Sequence, residues 1–109
     1  MEQLKDKLLA MKAALTATEA EHAGDEAPVE LDQARMGRLS RMDALQIQAM
    51  NKETGRRRRQ LLRDIDLALE RMERGEYGRC RECGEAIAEA RLAIQPTARL
   101  CVDCAAAHE

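Results

Sequence analysis

Four cysteines in two close pairs carry the chemistry of this sequence. Cys80 and Cys83 stand in CRECG and Cys101 and Cys104 in CVDC, which gives C-x2-C-x17-C-x2-C. Two residues between paired cysteines let a tight backbone knuckle aim both sulfurs at one ion, and two such knuckles complete a tetrahedron. Gly84, directly after the second cysteine, suits the positive φ that a knuckle of this kind needs. Thiolates are soft donors that favour zinc, and four protein ligands leave no coordination position for water or substrate, so one structural zinc ion is expected. The runs that hold iron–sulfur clusters are spaced differently. His108, four residues past Cys104, is a spare donor that a complete set of thiolates assigns to the surface.

The rest of the chain must position this site with little apolar volume. Of its 109 residues 45% are apolar, but 19 of these are alanine and Tyr77 is the only aromatic, so no thick globular core can form. Charged residues make up 35%, a balance that with abundant alanine, leucine, glutamate and arginine favours long solvated helices. No run of about 18 apolar residues is present to span a bilayer, and the opening MEQLKDKLLAMK lacks the apolar stretch of a secretory signal. A cytoplasmic protein without membrane contact is expected. A reducing compartment agrees with metal-bound cysteines over disulfides.

Two helices can be read from the spacing of apolar side chains. Leu4, Leu8, Met11 and Leu15, continued by Thr18 and His22, recur at intervals of four and three, the seam of a helix paired with another over residues 2–22. A turn follows over residues 23–31, marked by Gly24 and Pro28. A second helix is expected over residues 32–74, with the stripe Leu39, Met42, Leu45, Ala49 followed by Leu62, Ile65, Leu69, Met72. It should stop at Gly75, after Arg71 and Arg74 in the last turn. Ten residues without an apolar side chain, Asn51 to Gln60, divide the two stripes, and Gly55 among them suggests a bend or fray. A short turn would set Leu8, Met11 and Leu15 against Leu39, Met42 and Leu45. The lower half of the second helix would then be covered by the cysteine module through Ile87, Leu92, Ile94 and the alanines at 105–107. Met36, Met42 and Met50 read as packing residues. The fold class expected is mainly α: an antiparallel coiled-coil helical hairpin, residues 1–74, attached to a small C-terminal four-cysteine zinc finger with a short final helix, residues 75–109.

The stretch Gly75-Glu-Tyr-Gly-Arg-Cys-Arg-Glu-Cys-Gly84, with Arg91-Leu92, Pro96-Thr97 and Cys101-Val-Asp-Cys104, resembles the zinc finger of the DksA/TraR family of bacterial transcription factors. Residues 28–35 and 37–45 are similar to the family's short members. The resemblance implies a regulator that binds RNA polymerase directly, its hairpin projecting into the secondary channel with an acidic D-x-x-D-x-A motif at the tip. Asp32 and Ala34 match the second acid and the alanine of that motif, and Val29 stands where the first acid would be. Asp32 also has a plain structural reading, because an acid near a helix N-terminus is stabilised by the macrodipole.

Charge is segregated along the chain although the net is −2. Residues 1–34 carry eight acids against three lysines, residues 35–63 nine bases against two acids, and residues 64–109 ten acids against six arginines. The run Arg56, Arg57, Arg58 and Arg59 could contact phosphate, dock on an acidic surface of the polymerase, or serve as a solvated helical face. No aromatic platform for stacking bases accompanies it. No nucleophile–base pair, phosphate-binding glycine loop or open metal site points to an enzyme. A monomeric polymerase-binding regulator therefore stands beside a zinc-stapled interaction module with another protein or nucleic-acid target.

Overall fold

The protein is described here from a computed structural model covering residues 2–24 and 38–108, with side chains from residue 41 onward in the second stretch. Among the described residues four helices follow one another: α1 (Glu2–Glu21), α2 (Arg38–Glu73), α3 (Glu89–Ile94) and α4 (Val102–Ala107). No strand occurs among the described residues; a single antiparallel bridge joins Arg79 and Ala86. No described helix is long and apolar enough to cross a membrane.

α1 and α2 run antiparallel, and their ion pairs mark the register. Lys12 Nζ lies 2.7 Å from Asp66 Oδ1, and Glu19 accepts from Arg58 and Arg59 at 3.1 Å each. α1 therefore lies against the second half of α2, beside the cysteine module. The expected seam joining Leu8, Met11 and Leu15 to Met42 and Leu45 is not formed, and the Leu39 side chain lies outside the described residues. Leu8 instead packs with Ile65 and Ala68, and both Leu8 and Ile65 are fully buried. Met42, Leu45 and Met50 are about half exposed or more, on the part of α2 beyond the reach of α1. The physical reason is the core: against the lower stripe Leu8 and Ile65 are buried together with Tyr77, Ile87 and Leu92 of the cysteine module, and Lys12 and Glu19 meet Asp66 and two arginines at the same register. The expected turn over residues 23–31 and the expected helix start at residues 32–37 lie almost wholly outside the described residues.

Gly55 does not break α2, which continues through it for 36 residues. The residue is buried, so packing compensates for its weak helix propensity of about 1 kcal/mol relative to alanine. The helix ends as its sequence implies. Gly75 takes φ +73°, its N–H donates to Met72 O at 3.2 Å, and the N–H of Glu76 reaches back to Arg71 O at 2.8 Å. These two bonds form a Schellman cap, which satisfies carbonyls that the helix end would otherwise leave open.

One core unites hairpin and module. Leu8 from α1 and Ile65 and Ala68 from α2 meet Tyr77, Cys80, Ile87, Leu92 and Ala98. Tyr77, the only aromatic, is buried and donates its hydroxyl to Pro96 O at 2.8 Å. Lys7 Nζ donates to Ala93 O, tying α1 to the end of α3. Ile94 is a correction to the sequence reading: at 86% exposure it covers nothing. Leu69 and Met72 pack at the edge of this core.

Candidate metal centre and basic segment

The first knuckle is built by local backbone bonds. Cys80 N–H donates to Glu85 O at 2.7 Å and Gly84 N–H to Cys80 O at 3.0 Å, with Gly84 at φ +75° where a side chain would be strained. Ile87 N–H closes the hairpin on Gly78 O at 2.7 Å. The second knuckle is a helix start. Cys101 is the N-cap of α4, and its sulfur accepts from the N–H of Cys104 at 3.5 Å. The two are joined across the chain by Arg81 N–H donating to Arg99 O at 2.8 Å.

The sulfurs of Cys80, Cys83, Cys101 and Cys104 all lie within 4.8 Å of one another, with Cys83 Sγ and Cys101 Sγ 3.8 Å apart. Ligands about 2.3 Å from a central zinc in tetrahedral array stand about 3.8 Å from each other, so the geometry suits that ion. The backbone prepares it as well. The N–H of Cys83, followed by that of Cys101, draws the Cys80 thiol down to about 6, favouring the thiolate that binds metal. Cys104 is pushed the other way, first by its hydrogen bond to the sulfur of Cys101 and then to that of Cys80. Four thiolates this close repel one another, and a divalent cation at their centre removes the conflict. His108 is directed elsewhere: its Nε2 lies 2.5 Å from Glu82 Oε1.

The family profile described as prokaryotic dksA/traR C4-type zinc finger matches residues 75–109. A protein of Caulobacter vibrioides named RNA polymerase-binding transcription factor DksA is 37% identical over 112 residues, which span all of this chain and 75% of that protein. This chain belongs to the DksA/TraR family. An uncharacterized protein of Aquifex aeolicus is 35% identical over 111 residues, covering 96% of this chain and 73% of its own. The solved structure of transcription factor DksA2 from Pseudomonas aeruginosa matches with a TM-score of 0.78 at 30% identity, over 98% of this chain and 81% of that one. Family and donor geometry together make the four-cysteine cluster a structural zinc site.

The arginine run is divided between two tasks. Arg58, only 11% exposed, and Arg59 hold Glu19 of α1. Arg56 and Arg57, exposed at 61% and 75%, both pair with Glu53 one turn earlier on α2. Those two guanidiniums, Arg56 first, hold the Glu53 carboxyl down at about 2. Asp32, Ala34 and Val29 lie outside the described residues. A feature that sequence reasoning passed over is the pair Arg81 and Arg99, one inside the first C-x2-C and one two residues before the second. The backbone bond between them brings both exposed side chains to one place.

Proposed function

We propose that this chain binds RNA polymerase and regulates transcription, acting as a cytoplasmic monomer without catalytic chemistry of its own. The reading rests on its kinship, along its whole length, with a protein named for binding RNA polymerase. In this reading the hairpin enters the secondary channel, Asp32 acts at the tip with Ala34 beside it, and zinc keeps the base of the hairpin in shape. Arg56 and Arg57 supply docking charge to an acidic surface, while Arg58 and Arg59 contribute by holding α1 in place. The shared core of Leu8, Ile65 and Cys80 supports such a division of labour, because a projecting helix pair can act at a distance only if its base is fixed.

Purified polymerase and a promoter template test the proposal. Asp32→Asn should leave affinity for polymerase within a few-fold and abolish the effect on initiation, since the charge at the tip is removed and the anchoring surfaces are kept. Val29→Asp should strengthen the effect. Unchanged activity in Asp32→Asn would reject the tip assignment. Absence of polymerase binding at low salt would reject the whole reading in favour of a zinc-stapled module with another target.

A further inference from the structure

The zinc module carries two exposed arginines that, unlike the arginine run, hold no acid. Among the described residues Arg81 and Arg99 make no side-chain hydrogen bond and no ion pair, while Arg58 and Arg59 are engaged with Glu19 and Arg56 and Arg57 with Glu53. The two side chains stand on a wall shared by two open grooves. One groove, of about 470 Å³, continues past Arg79 to Arg71 and Arg74, with Leu67 offering 42% exposed apolar surface. The other, of about 490 Å³, continues past Arg91 to Gln95 and Thr97.

We propose that the Arg81–Arg99 ridge is a docking surface for a short acidic segment of a partner protein, lying across both grooves with carboxylates on the two guanidiniums. Charge complementarity selects this occupant. Planar guanidiniums that hold no ion-pair partner match carboxylates in two-point contact. A phosphate backbone fits less well. Glu70 and Glu76 line the first groove and Asp64 and Glu82 the second. Residues 75–109 carry six acids against four arginines, and the zinc tetrathiolate is itself formally doubly negative. A uniformly charged strand cannot avoid those acids, whereas a peptide can set neutral residues opposite them. Stacking of bases has no platform either, because Tyr77 is buried. The ridge is remote from the hairpin tip in the sequence, and its occupancy does not depend on the tip acting in polymerase.

The probe is a fluorescein-labelled peptide of about ten residues alternating aspartate with leucine, titrated into the zinc-loaded full chain at about 20 mM salt. Arg81→Gln with Arg99→Gln should weaken binding about five- to tenfold, the size expected when two solvent-edge charge contacts go together. The pair R81K and R99K should fall between wild type and the glutamine pair, because charge is kept and the two-point contact is lost, and R56Q with R57Q should stay within about twofold, because neither side chain lines either groove. A variant-free readout guards against loss of zinc in the glutamine pair. In nitrogen-15-labelled wild-type protein, the Nε–H signals of Arg81 and Arg99 should move on adding peptide, and that of Arg58 should not. No binding of the peptide, an equal loss in R56Q/R57Q, or unmoved Arg81 and Arg99 signals would each overturn the proposal. So would tighter binding of a single-stranded oligonucleotide or of inorganic pyrophosphate at those same signals, which would assign the ridge to phosphate.

Discussion

Glu19 bridges α1 to Arg58 and Arg59 of α2, and replacing it with glutamine isolates that bridge from the rest of the fold. Arg58 is 11% exposed and Glu19 29%, so this pair lies between a solvated surface bridge and a buried one. Arg59, at 39%, is nearer the solvated case. Exposed pairs contribute about 0.2–1 kcal/mol, while breaking a fully buried pair costs about 3–5 kcal/mol because a charge is left stranded. Glu19→Gln keeps the shape and one acceptor, and the expected loss is about 1–2 kcal/mol. With an unfolding entropy of about 2.1 cal/mol/K per residue, a chain of this size should lose roughly 4–9 °C in Tm. The assay is thermal unfolding by far-ultraviolet circular dichroism of the zinc-loaded protein. Native-state hydrogen exchange should report faster opening of α1 near Glu19 with little change in the zinc module. Glu53→Gln is the control, since it removes contacts to Arg56 and Arg57 within α2 and cannot release α1. Combining Glu19→Gln with Arg58→Met should recover part of the loss, because the stranded cation is gone. A Tm within about 1 °C of wild type and unchanged α1 exchange would refute the claim that this bridge anchors α1.

Elemental analysis should return one zinc per chain, and a strong chelator should abolish the folded signal of Tyr77, the only aromatic fluorophore, as its bond to Pro96 O is lost. Metal-free protein with unaltered tyrosine emission would contradict a structural role for the ion. Leu8→Ala should destabilise by about 2.7–5 kcal/mol, since the side chain is fully buried between hairpin and module, and denaturant unfolding would measure it. The Glu53 carboxyl, held at about 2 against an ordinary 4.5, supports α2 fully above the ordinary value and loses that support as pH falls toward 2. A carbon-detected titration should place its midpoint near the lower figure and see it rise in Arg56→Gln.

The zinc ligands were legible because spacing alone constrains them: few arrangements other than a metal site need C-x2-C twice. The helix ends were legible for the same local reason, Gly75 being a residue that tolerates the cap it forms. Register was not local. The stripe Leu4, Leu8, Met11, Leu15 fits either half of α2 by apolar periodicity, and the assumption of a short turn chose the wrong half. Burial of Leu8 and Ile65 with Tyr77, Ile87 and Leu92 favours the lower half, but contacts so distant along the chain become visible only once it is folded. Gly55 misled because propensity is a weak prior that burial overrides. Arg81 and Arg99 escaped notice since 17 residues separate them and only the folded module brings them together.

The unbroken course of α2 has a consequence for accuracy at its far end. A rod of 36 residues is about 54 Å long, so a tilt of about 5° at Glu73 would displace Arg38 by about 5 Å. Aim is therefore decided at the pivot, where the Schellman bonds of Gly75 and Glu76 meet the contact of Arg71 with Arg79 O. Substituting Gly75, which touches nothing within 4 Å of an added Cβ, should still alter where the distant end points, because its φ of +73° sets the angle of departure. Small residues at the base thus act as the sight of a long instrument.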